Sequence, residues 1–118
     1  VFFLLPTVIY GQSKKELLKV YSEANKDYFE NKLPPISIVF IKHLQQNGDS
    51  LMATTFCNDA GCTIDIDPDK NPNTRVAVMT LYHETCHVYL WDKQAGHGEK
   101  FENCMVRLAE LGAFEGYW

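Results

Sequence analysis

The stretch Met79–Trp91 reads MTLYHETCHVYLW, with two histidines four residues apart and a glutamate directly after the first. On a helix this spacing brings His83 and His87 onto one face a turn apart, where both imidazoles can meet one ion. Glu84 is displaced around the helix. It is too far round to ligate, yet near enough to accept a proton from water, the division of labour of an HExxH hydrolytic site. Ten residues past His87, in the turn "GHG", His97 offers a third nitrogen. Three protein ligands leave a fourth position open, as catalytic zinc sites do and closed structural sites do not. The chemistry implied is amide hydrolysis by a zinc-activated water, with Glu84 as general base and then as acid toward the leaving amine.

A short H-E-x-x-H string also arises by chance in a buried helix, each polar group satisfied by hydrogen bonds. The flanking residues argue against chance here: Val76, Val78, Met79, Leu81, Val88, Leu90 and Trp91 leave no solvated face, and polar groups on such a helix are costly unless something satisfies them. His97 is the preferred third ligand, with Glu99, Glu102 and Glu110 as alternatives. His43 has no partner by spacing and reads as a surface residue. Cys86, beside His87, points off the line of the two histidines and reads, with Cys104, as a free core thiol. Tyr82, Tyr89 and Tyr117 could each hydrogen-bond a developing oxyanion, although packing is the ordinary role of such residues.

The elements that must position these groups follow from patterning. Ser13 and Glu16 form a capping-box signature before Leu17, Tyr21, Ala24 and Tyr28, predicting a first helix over about 13–30 that "NKLPP" stops. "ISIVFI", "SLMATTFC" and "CTIDID" are β-rich runs separated by "QQNGD" and "NDAG", predicting a three-stranded antiparallel meander. Asn73 or Thr74 can cap the HExxH helix, about 74–92. A last helix, about 98–111, turns Phe101, Cys104, Leu108 and Leu111 inward, and a step of four back from Phe101 puts His97 on the same side. The predicted class is α+β.

At 118 residues the chain fits one domain, 1–118, with a core over about 13–114 and an extended N-terminal segment over 1–12. The opening apolar run is too short to span a bilayer, so no membrane association is expected. Eleven basic residues against fifteen acidic give a net charge of −4 without a basic cluster. That balance argues against direct phosphate binding, leaving nucleic acid reachable only through a partner or a missing segment. Four cysteines are too few for a disulfide scaffold, so a cytoplasmic monomer is expected. The alternative is a secreted protein with a Cys57–Cys62 pair, residues 1–10 being the remainder of a signal segment.

"YHETCHVYLW" followed by "GHGEKFENCM", and preceded by "ANKDYFENKLPPISIVF", resembles the SprT-like zinc metalloprotease domain, the family that includes Spartan-type proteases acting on DNA–protein crosslinks. The similarity spans about Leu17 to Phe114. It implies a minimal gluzincin-like α+β fold, one zinc ion on His83, His87 and His97, Glu84 as catalytic acid/base, and a protein or peptide substrate. It also implies that "CTIDID" is the edge strand bordering the cleft, where an extended peptide could pair. Action on DNA-bound proteins, or a catalytically silent zinc-binding adaptor role, are further expectations from the same resemblance.

Overall fold

The computed structural model describes residues 13–117, and the extended segment expected over 1–12 lies outside them. Ser13 caps helix α1 (Lys14–Tyr28) through the reciprocal capping box that the sequence predicts. Leu17, Tyr21 and Ala24 form its buried stripe. The Tyr21 hydroxyl donates to the Pro34 carbonyl at 2.5 Å, which pins the proline-rich exit segment against the helix it terminates.

Five strands follow: β1 (Ile36–Phe40), β2 (Gln45–Gln46), β3 (Asp49–Ser50), β4 (Ala53–Asn58) and β5 (Gly61–Ile66). The predicted run "SLMATTFC" is split between two of them. Asn47 and Gly48 take φ of 54° and 85°, the paired positive values of a tight hairpin turn, and so β2 and β3 form a separate two-stranded ribbon.

The main sheet has the order β1-β5-β4 and is mixed, not the predicted antiparallel meander. β4 and β5 pair antiparallel, whereas β1 runs parallel to β5, with Ile36 opposite Cys62 and Phe40 opposite Ile66. A meander requires each strand to pair with its predecessor. Here the chain after Phe40 turns within its own hairpin first, and the long path to Gly61 supplies the crossover that parallel pairing needs. In this register Ile36, Ile38 and Phe40 share a face with Cys62, Ile64 and Ile66, building one apolar layer.

The same order overturns the expectation that "CTIDID" is the edge strand. β5 is central, and among the described residues β1 and β4 are the outer strands. Gly61 shows how β1 closes onto β5: at φ +140° it stands where a Cβ would lie 2.7 Å from the Pro35 carbonyl oxygen, which accepts from the Cys62 amide at 3.0 Å.

Two helices complete the fold, α2 (Thr74–Tyr89) and α3 (Glu99–Glu110). Asn73, not Thr74, caps α2 by accepting from the Val76 amide. α2 packs on α1, on α3 and on β4, with Val78, Leu81 and Val88 fully buried. Leu111, expected to face inward, is 50% exposed, because Gly112 turns the chain at φ +87° and sends Ala113 and Phe114 into the core instead. Among the described residues no helix is long and apolar enough to cross a membrane.

All four cysteines are paired, Cys57 with Cys62 across the β4–β5 hairpin and Cys86 with Cys104 between α2 and α3. Cys86 and Cys104 do lie in the core, but the expectation of free thiols there is overturned. Their helices pack so that the two Cα atoms stand 5.9 Å apart, within bridging range.

Candidate metal centre

Helical spacing places His83 and His87 side by side on one face of α2, with ring centroids 5.1 Å apart. His97 arrives from the turn between α2 and α3. Gly96 supplies a positive φ of 76° just before it, and Gln94 then reaches forward so that its side-chain oxygen accepts from the Lys100 amide at 2.9 Å. This bond caps the start of α3 in the absence of a capping side chain on Gly98, and any Cβ at Gly98 would stand 2.9 Å from that oxygen. His97 is thereby held at the mouth of a closed turn.

His97 Nε2 lies 3.1 Å from His83 Nε2 and 3.1 Å from His87 Nε2. Two nitrogens at roughly 2.05 Å from a tetrahedral ion stand about 3.3 Å apart, so the spacing suits a shared metal. Neutral imidazoles carry one N–H each and cannot satisfy one another in such a triangle, whereas a cation satisfies all three lone pairs. These three are the group among the described residues that could hold a metal ion. Phe101 floors the cluster, its ring stacked on His87 at 4.5 Å and edge-on to His83 and His97.

Burial lowers the His87 pKa to about 4, with the charges of His83 and His97 adding to it, and burial together with His97 lowers that of His83. Both effects favour the neutral ring, the form that ligates. Glu84 is 5% exposed. Its Oε2 stands 3.9 Å from His83 Nε2, while its Oε1 accepts from the Thr55 hydroxyl of β4 at 2.6 Å. Burial raises the Glu84 pKa and the Thr55 bond opposes that shift. The cluster opens into a cleft of about 1040 Å³ lined by Thr55 and Phe56 of β4 and by Trp91 and Tyr117.

A family model described as the SprT-like family matches residues 17–115. The chain belongs to the SprT-like family. Among curated proteins none matches it.

In this SprT-like domain the four residues picked out by spacing, His83, Glu84, His87 and His97, stand together at the base of one cleft. Glu99, Glu102 and Glu110 are exposed and lie outside the histidine cluster, and so does His43, exposed in the turn between β1 and β2. Of the three tyrosines, Tyr117 borders the cleft, Tyr82 is buried edge-on against Phe114, and Tyr89 packs on Phe29. Sequence reasoning missed Thr55, Gln94 and the role of Phe101. Phe101 had a signal, since it lies four residues after His97 on an inward stripe. Thr55 had none, because its contact with Glu84 crosses 29 residues and depends on β4 being the strand beside α2.

Proposed function

We propose that this SprT-like domain is a zinc-dependent endopeptidase, with His83, His87 and His97 holding the metal and Glu84 serving as general base and then acid. One observation carries the reading: three imidazole nitrogens about one point, with the unbonded oxygen of a buried carboxylate beside them, at the base of an open cleft. Nitrogen-only ligation with an open side suits a borderline ion such as zinc. When bound, zinc supplies the charge that acidifies a water and polarises a carbonyl.

The chain's own groups do the rest. Glu84 sits in an environment that raises its pKa, which brings a carboxylate closer to the range where it can both take and return a proton near neutrality. Burial favours the neutral rings of His83 and His87, the form that ligates. Among the described residues β4 is an outer strand of the sheet and lines the cleft, so an extended peptide can add to the sheet there, with Phe56, 68% exposed, flanking it. The substrate class is an extended or unfolded polypeptide.

The two disulfides support an oxidising compartment over the cytoplasmic expectation. Together with the net charge of −4, they favour peptide over nucleic-acid-bound targets, and any nucleic acid would be reached through a partner. The test is digestion of casein by the chain stripped with chelator and then reloaded. Cleavage absent in the stripped protein and restored by one equivalent of zinc supports the reading, whereas equal cleavage in both states overturns it.

A further inference from the structure

Glu84 has two oxygens, and the structure distinguishes them. Oε1 receives the Thr55 hydroxyl at 2.6 Å from across the sheet–helix interface, and Oε2 is left facing the histidine cluster. Thr55 lies on the edge strand opposite Ile64, on the same sheet face as Ala53 and Cys57, which points toward α2. As a β-branched residue in a strand it has few χ1 choices, so the backbone of β4 itself sets the direction of the hydroxyl.

We infer that Thr55 is a positioning residue for Glu84: it fixes the carboxylate rotation so that one defined oxygen, Oε2, exchanges the proton. The bond is compatible with both stages of that exchange. The hydroxyl donates its single proton to Oε1 whether Oε2 is bare or protonated, so the carboxyl group keeps its orientation while it accepts a proton and gives it up. An unpinned carboxylate on α2 would divide its time among rotamers and lose reactive alignment. Thr55 also couples the base to the peptide-binding edge, because the strand that would pair with substrate is the strand that aims Glu84.

The inference rests on the peptidase reading, and three substitutions test it with casein as the probe. In zinc-loaded Thr55→Val, kcat falls by about 10- to 100-fold, the scale of one lost hydrogen bond to a charged group, while KM stays within about threefold. Zinc stoichiometry remains that of the wild type, and Tm falls by no more than about 10 °C, the scale of one buried hydrogen bond, so the variant stays folded. Thr55→Ala gives the same loss without placing a methyl against the carboxylate, and Thr55→Ser, which keeps the hydroxyl, restores most of kcat. A Val or Ala variant with wild-type kcat, or a Ser variant as slow as Val, overturns the assignment. Should the wild type itself cleave nothing, the peptidase reading falls, and the position of Glu84 in crystals of zinc-loaded Thr55→Ala decides the geometric claim separately: a turned carboxylate supports it and an unmoved one refutes it.

Discussion

His97 Nε2 stands 3.1 Å from His83 Nε2, although the two residues belong to different elements and are fourteen positions apart. The turn that carries His97 therefore completes a site that the helix only begins. Replacing His97 with Ala should weaken zinc binding by at least about 100-fold, more than the loss of a supporting outer partner, as read by competition with a chelating dye. His43→Ala, which alters an exposed loop residue, should leave it unchanged. Equal zinc affinity in His97→Ala would remove His97 from the ligand set.

The disulfides predict a thiol count. Denatured without reductant, the protein should show no reactive thiol, and with reductant it should show all four. The Cys86–Cys104 bridge closes a loop of 18 positions, so its loss should lower stability by about 3 kcal/mol. That loop contains both His87 and His97, and zinc affinity should fall with it. Four thiols reacting without reductant would contradict the pairing.

Phe56 is the most exposed large apolar side chain among the described residues and walls the cleft from the edge strand. Phe56→Ala should raise KM for an unfolded substrate by about tenfold, with kcat little changed and stability altered by under about 0.5 kcal/mol. An unchanged KM would place the peptide elsewhere in the cleft.

Alkaline pH should unfold the protein through buried phenols. Burial raises the pKa of Tyr21 and pushes that of Tyr82 up to about 12. The folded state thus holds protons that the unfolded chain releases above about pH 10. The contribution is complete below pH 10 and is lost as pH rises toward 12. Tm should therefore fall between pH 10 and 12. Tyr21→Phe should cost about 1 kcal/mol at neutral pH, through the lost bond to Pro34, while making the alkaline fall shallower. An unchanged alkaline slope would exclude Tyr21 from it.

Much of this site could be read from local patterns. The capping box at Ser13 and Glu16, the helical spacing of His83 and His87, and the glycines around His97 each act within a turn or two, and each forms as its residue types require. What escaped was non-local. β1 and β5 pair parallel because of where the chain goes between them, which no property of "ISIVFI" records. The exchange of edge strand from β5 to β4 follows from that pairing, and with it the meeting of Thr55 and Glu84. Cys86 and Cys104 read as ordinary core residues because burial and bridging ask the same apolar setting of a cysteine.

In the proposed mechanism Glu84 does chemistry beside a metal it does not hold. Zinc content and casein cleavage, measured together on the wild type and on Glu84→Ala, test it most directly. One zinc per chain is expected in both proteins, with cleavage in the wild type and a loss of at least about 1000-fold in the variant, on the scale of removing the principal general base. Wild-type cleavage by metal-loaded Glu84→Ala would contradict it.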